Sequence, residues 1–279
     1  MIHHFNNTLP QRIYGPVAVF GDVHGEKDRL DYLLNKIKKE GYLTEDRWIV
    51  FLGDIVDHYG RKQKETIETV IELTEKHKCT ACLGNHDLGF GVAIGAIDYL
   101  GRKARVRDTW ATHKYSRYTF SSYGCNHMDW FSLMNRVPFH HKKFINMMPW
   151  CVEHPDYIFV HSGLVPDQTV WPSNHEPQQC IGMPKENGLQ NWPTIPDQLK
   201  VLRNRDNIYR NPWLHSFNIP YRVVNYPKIV VSGHLNVPDV LVVKSVNNPR
   251  HGRIMVDTGA GLGGKLSVVM LPELVTFSI

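Results

Sequence analysis

Short apolar runs alternate with amphipathic stretches through the first third of the chain. Residues 17–20 (VAVF) are apolar throughout and stop at Gly21, the pattern of a buried strand entering a turn. From Glu26 to Glu40 the apolar residues Leu30, Leu33, Leu34 and Ile37 recur at helical spacing, and Gly41 follows as a C-cap. A second buried strand spans 48–52 (WIVFL) and stops at Gly53. Ile67, Val70, Ile71 and Leu73 mark one face of a helix over 64–77, and a third strand at 79–83 ends at Gly84. Strand, turn and helix repeated in this order predict an α/β layered fold on a parallel sheet.

Between Leu88 and Met148 aromatic, histidine and basic residues crowd together, with helical patterns around 89–101 and 128–147. The expectation is a helical insertion over about 88–148, set into a single domain spanning 1–279. A strand follows at 157–160 (YIFV), then a stretch from 165 to 198 with six prolines and no regular pattern. A stretch of that length inside a domain is usually functional or covers something. Further strands are expected at 228–232, 240–244, 253–257 and 266–271.

Composition narrows the class. The 279 residues are 42% hydrophobic and 21% charged, which excludes a disordered or fibrous chain. No apolar run is long enough to span a membrane, and Met1 to Pro10 lacks the apolar segment of a secretory signal. Five scattered cysteines predict a reducing, cytoplasmic setting. The net charge of +5 favours anionic substrates weakly and carries no strong nucleic-acid signal. Sixteen histidines are the unusual count, and several sit beside Asp, Asn or Gly where apolar runs end.

Five such ends carry the candidate chemistry: GDVHG at 21–25, GDIVDH at 53–58, GNHD at 84–87, VHSG at 160–163 and SGH at 232–234. Ligands of open α/β sheets collect at the carboxyl ends of strands, so these loops can converge. Gly21, Gly53 and Gly84 are expected to let the chain turn just before each donor. Mixed carboxylate and imidazole donors suit two divalent transition metals, manganese first, with iron or zinc as the other fits. A carboxylate such as Asp54 can bridge the pair.

With its closing segment IMVDTGAGLGGKLSVVML, this series resembles the phosphoprotein phosphatase branch of the calcineurin-like metallophosphoesterases. It is similar also to the symmetrical diadenosine tetraphosphatases. The resemblance covers about residues 17–272 and implies a four-layer αββα sandwich, two mixed β-sheets flanked by helices, with a dinuclear site at the strand ends. It implies Asp22 and His24 on the first metal, Asp54 bridging, and Asn85, His161 and His234 on the second. His86 would be the general acid, with Asp57 fixing its tautomer.

The implied reaction is hydrolysis of phosphomonoesters, including phosphoserine or phosphothreonine in proteins, by a metal-bridging hydroxide. The rival reading is a pyrophosphohydrolase acting on dinucleoside polyphosphates or capped RNA. The partner is then a phosphorylated protein or a nucleotide. A phosphate-binding or scaffold protein with a decayed site is the alternative of another class, and the intact donor set counts against it.

The chain departs from the family pattern at one place. Where the family reads GDxVDRG, this sequence reads GDIVDHYG, so His58 stands where a phosphate-binding arginine is usual. Arg61 offers a replacement charge, with a solvated helix start as its simpler reading; alternatively His58 contacts the phosphate alone, or the substrate needs less charge there. LRNRD at 202–206 resembles the second family arginine segment and selects Arg205 as the phosphate clamp.

Other features are weaker. Cys79 and Cys82 sit three apart on a strand, face opposite sides and read as core thiols. The glycine-rich GAGLGG at 259–264 precedes a strand rather than opening a helix, so it fails as a nucleotide loop. Trp110, Tyr115, Tyr118, Tyr123 and Trp130, interleaved with Arg102, Lys103, Arg105, Arg107 and Lys114, suit either base stacking or ordinary packing. His113, His127, His140, His141 and His154 read as surface or structural residues.

Overall fold

Strict alternation of two apolar faces builds the centre of the molecule. In β1 (Val17–Phe20) and β2 (Trp48–Phe51), Val17, Val19 and Val50 join one buried cluster, while Ala18, Phe20, Ile49 and Phe51 join another. The computed structural model describes residues 8–98, 103–164, 195–203, 226–244 and 252–279, without the side chains of Lys103 and Asp197. Cys79, in β3 (Cys79–Ala81), belongs to one cluster and Cys82 to the other, so the two thiols do face opposite sides. Both are free and buried, and burial pushes both thiols well above the ordinary range.

Two mixed five-stranded sheets result. The first runs β10-β9-β1-β2-β3, with β1, β2 and β3 parallel and β9 (Ser267–Leu271) and β10 (Val275–Ser278) antiparallel on its edge. The second runs β4-β5-β6-β8-β7, with β5 (Tyr157–Val160), β6 (Ile229–Ser232) and β8 (Gly252–Met255) parallel at its centre. β4 (Cys151–Glu153) and β7 (Leu241–Lys244) close its edges in antiparallel fashion. Val17, Val50 and Leu52 of the first sheet share one apolar cluster with Phe159, Val231 and Ile254 of the second, so the sheets pack face to face.

The helices α1 (Lys27–Lys39) and α2 (Gln63–Lys76) bury Leu30, Leu33, Ile37, Ile67 and Val70 with the outward-facing side chains of β1 and β2. α8 (Ile195–Arg203) places Ile195, Leu199 and Leu202 in the same cluster as Ile158 and Val230. This is the four-layer α/β arrangement. Between them α3 (Asn85–Ala93), α4 (Lys103–Thr112), α5 (Arg117–Ser122), α6 (Trp130–Arg136) and α7 (Phe139–Met147) form a helical block. The expected helix over 128–147 is two helices, because Pro138 offers no N–H to continue the first. No described helix is long and apolar enough to cross a membrane.

Register decides where the site sits. Phe20 pairs with Phe51 and Phe51 with Ala81, so β1, β2 and β3 end together. Val160 pairs with Ser232 and Ser232 with Met255, so β5, β6 and β8 also end level. Every donor-bearing loop leaves one of these strand ends.

Candidate metal centre and active site

The loops after β1, β2 and β6 hold site residues in a strained conformation. His24, Asp54, Asp57, His58 and His234 all have φ between +48° and +75°, a region that L residues rarely occupy. The glycines act differently from expectation. Gly53 does turn with φ at +102°, but Gly84 is extended and serves as space: a Cβ there would collide with the Asp54 carboxylate. Gly233 makes room for Asp22 in the same way.

Two donor triads share Asp54. The ligand atoms of Asp22, His24 and Asp54 lie within 4.8 Å of one another, as do those of Asp54, His161 and His234. Asp54 Oδ2 is 3.9 Å from His24 Nε2 and 3.3 Å from His161 Nε2. Asn85 Oδ1 is 2.9 Å from the same His161 nitrogen. Both imidazoles are oriented from behind, His24 Nδ1 by the carbonyl of Val56 at 2.7 Å and His161 Nδ1 by that of Leu52 at 2.9 Å. Donation at Nδ1 leaves each Nε2 a lone pair aimed at the carboxylates, the arrangement that ligating histidines use.

The electrostatics of the centre call for cations. Asp22, Asp54, Asp87 and Asp257 are all buried. Burial, then Asp257 and Asp54, push the Asp22 carboxyl well above its ordinary range. Burial and the neighbouring charge of Asp54 raise Asp87 to about 7. Burial does most to bring Asp257 to about 6. Asp54 goes the other way: burial works against it, yet His161 and His86 hold it well below the carboxylate range. Burial pushes His24 well below its usual value, which leaves a neutral ring able to bind a metal. The buried carboxylates of Asp22, Asp54, Asp87 and Asp257 oppose one another unless positive charge sits among them. The residues present therefore fit a pair of divalent ions.

Asp54 Oδ1 accepts the backbone N–H of His86 at 2.9 Å, which ties the start of α3 to the centre. His86 Nδ1 is 2.7 Å from Asp57 Oδ2. Burial lowers the His86 pKa, but Asp54 and the Asp57 hydrogen bond outweigh it and raise the group to about 9. His58 is the reverse case, lowered to about 4 by burial and by His86. It is a neutral ring stacked on Tyr115 at 4.2 Å, with its edge toward His24, and supplies no positive charge at neutral pH. Arg61 is exposed and makes no ion pair among the described residues. Arg205 lies outside the described residues. Asp22, His24, Asp54, His58, His86 and His234, with Asn236, Asp257, Gly261 and Leu262, line a cavity of about 150 Å³.

The sequence profile described as Calcineurin-like phosphoesterase matches residues 15–242. The chain belongs to the calcineurin-like phosphoesterase family. That family is one of metal-dependent phosphoesterases, and the two donor triads around Asp54 are groups that could hold such ions here. The serine/threonine-protein phosphatase 4 catalytic subunit of Candida glabrata is 27% identical over 186 residues, 66% of this chain and 50% of that protein. An uncharacterized protein of Methanocaldococcus jannaschii is 32% identical over 94 residues, 34% of this chain and 35% of the other. This phosphoesterase thus spans half or less of the length of these curated relatives. In fold it is similar to a provisionally assigned diadenosine tetraphosphatase, with a TM-score of 0.53 at 16% identity over 97% of both chains.

Several residues that shape this site were given no role by the sequence reading. Trp110 Nε1 donates to Asp57 Oδ2 at 2.7 Å and Thr119 Oγ1 donates to Asp57 Oδ1 at 2.5 Å. They come from α4 and α5, in the stretch expected as a helical insertion, where Trp110 suited either base stacking or packing. Asp257 in DTG accepts from Asn236 Nδ2 at 3.0 Å. Asp87, the last residue of GNHD, accepts from the backbone N–H of Ile55 and of Gly84 and so locks two donor loops together. Its motif position was visible, but its work is done behind the site.

Proposed function

We propose that this chain is a phosphatase that hydrolyses phosphomonoesters, phosphoserine and phosphothreonine side chains among them. The observation that supports this most is the pair of donor triads sharing Asp54, with the His86–Asp57 dyad beside them. In this reading Asp22, His24 and Asp54 hold one ion, and Asp54, Asn85, His161 and His234 the other. Manganese is the metal that the mixed carboxylate and imidazole set favours. Bound there, the two ions supply Lewis acidity to the phosphoryl oxygens and lower the pKa of a water.

The chain's own groups do the rest. Asp57 fixes the His86 ring through Nδ1 and leaves Nε2 free to carry a proton toward the leaving oxygen. As a water oxygen bonds to phosphorus opposite the leaving group and the ester P–O bond breaks, the leaving oxygen takes the Nε2 proton and departs as the alcohol; the water's proton passes to solvent, which reprotonates His86. A pKa of about 9 keeps His86 loaded at neutral pH. Cations on Asp54 would weaken one source of that shift, and Asp57 would remain as the other. Arg205 is the residue proposed to clamp the phosphoryl oxygens, since neutral His58 cannot. Buried free thiols at Cys79, Cys82 and Cys151 favour a reducing compartment, the cytoplasm, as the place of work.

A second reading draws on the aromatic rim. Tyr59 and Tyr115 meet edge to face at 5.5 Å beside His58, and such rings can hold a nucleobase of a dinucleoside polyphosphate or capped RNA. Steady-state assays of the manganese-loaded protein on aryl phosphate, phosphopeptides, dinucleoside polyphosphates and capped RNA separate the two. Higher kcat/KM for monoesters is expected. The reverse order would install the pyrophosphohydrolase reading, and two bound metals without turnover of any of them would leave a decayed, phosphate-binding protein. In the same assay His86→Asn is expected to lower kcat roughly 10²–10⁴-fold for an alkyl phosphate and much less for a nitrophenyl phosphate. Equal losses would remove His86 as the acid.

A further inference from the structure

The helical block brings a second donor set together outside the strand-end cavity. Glu68 sits on α2, and His140 and His141 lie in the first turn of α7. Glu68 Oε1 is 2.9 Å from His140 Nε2 and 2.7 Å from His141 Nε2. The three ligand atoms all fall within 4.8 Å of one another. None of these residues lines the cavity around Asp54.

His141 is the informative member. Its side chain is 0% exposed. Its Nδ1 is 2.7 Å from the Tyr123 hydroxyl. Its Nε2 has no hydrogen bond, even though the Glu68 oxygen is close, because that oxygen lies off the N–H direction. A neutral imidazole carries one N–H. With the proton on Nδ1, it donates to Tyr123, and a bare Nε2 lone pair faces a carboxylate oxygen. With the proton on Nε2, the N–H misses its only close acceptor. Neither tautomer satisfies a fully buried nitrogen, and such groups are rare and costly.

We propose that Glu68, His140 and His141 form a separate binding site for a zinc-like divalent cation. Two imidazoles and one carboxylate are an established zinc donor set, and an open fourth position takes water. His140, with 52% of its side chain exposed, leaves the site a path from solvent. Tyr123 accepts from Nδ1 and fixes the tautomer that turns Nε2 toward the ion. Zinc–ligand bonds of about 2.0 Å at tetrahedral angles set donor atoms roughly 3.3 Å apart, a few tenths of an ångström beyond the two separations from Glu68. The ion would clip α2 to α7. Through Tyr123, the residue that follows α5, it also supports the helix carrying Thr119.

Chelator-stripped full-length wild type, Glu68→Gln and His140→Ala, each dialysed against zinc and assayed by elemental analysis, test this. Each variant is expected to hold one zinc fewer per chain than wild type, whatever number the strand-end centre takes. Zinc is also expected to raise the melting temperature of wild type more than that of either variant. Turnover of aryl phosphate by the manganese-loaded variants should match wild type. His140 is exposed, so its substitution keeps the test open if Glu68→Gln misfolds. Equal zinc content and equal zinc-induced stabilisation in wild type and the folded variants would overturn the assignment.

Discussion

Asp57 accepts from three side chains: His86 and Trp110 on one oxygen, Thr119 on the other. A carboxylate held on both oxygens cannot rotate, so the imidazole it aligns is held as well. Removing one donor should loosen His86 without touching the metal ligands. Trp110→Phe and Thr119→Val are each expected to lower kcat about 10-fold, near the weaker end for a hydrogen bond to a charged group, with KM little changed. The loss should be larger for alkyl than for nitrophenyl phosphate, since only the former depends on His86. Steady-state kinetics on the two substrates checks this, and equal losses on both would make these residues merely structural. Asp22, Asp54 and His86 were legible in the sequence because each stands in a short motif at the end of an apolar run. Trp110 and Thr119 were not, because they sit 53 and 62 residues from Asp57, in helices without a motif.

At the level of elements, the first sheet is locked at its edge by an ion pair. Arg47, just before β2, makes two bonds to Glu273 at 2.6 and 3.2 Å and one to the carbonyl of Leu271 at 3.2 Å. It thereby ties the centre of the sheet to the β9–β10 turn. The Arg47 hydrogen bond holds the Glu273 carboxyl below its ordinary 4.5. A depressed carboxylate adds stability above its unfolded pKa and loses it as pH falls through the folded one. Glu273→Gln should therefore melt lower than wild type at neutral pH, and the gap should shrink below about pH 4.5 and then close. Thermal melts across pH test it; a constant gap would assign the effect to packing. This edge was also where the sequence was hardest to read. β1, β2 and β5 were plain from unbroken apolar runs and β3 from one interrupted only by Thr80, whereas β10 alternates polar with apolar over Val275–Ser278 and β4 is three residues long. α8 follows directly on a proline-rich stretch that masks its start, and only Pro138 among the missed features carried a readable signal, since it splits α6 from α7.

Across the whole molecule, one charge problem joins the two sheets. Asp22 and Asp54 arrive from the first sheet, and Asp257, with His161 and His234, from the second. Without cations the buried carboxylates repel across the junction, and Asp22 and Asp257 answer by rising in pKa. Metal binding and folding are then linked, because ions that bind only the folded chain stabilise it in proportion to the logarithm of their concentration. Saturating manganese is expected to raise the melting temperature of chelator-stripped wild type by on the order of 5–10 °C. Asp54→Asn separates the two contributions. Against burial, His161 and His86 hold the Asp54 carboxyl below its ordinary range and it accepts the His86 N–H, so the stripped variant should melt below stripped wild type. The substitution also removes the carboxylate common to both triads, so manganese should stabilise the variant far less and turnover should nearly vanish. Calorimetry of both proteins, with and without manganese, gives four melting temperatures. If stripped Asp54→Asn melts no lower than stripped wild type, repulsion from Asp22 and Asp257 outweighs the hold of His161 and His86 on Asp54. If manganese stabilises both proteins equally, the ions do not share that carboxylate.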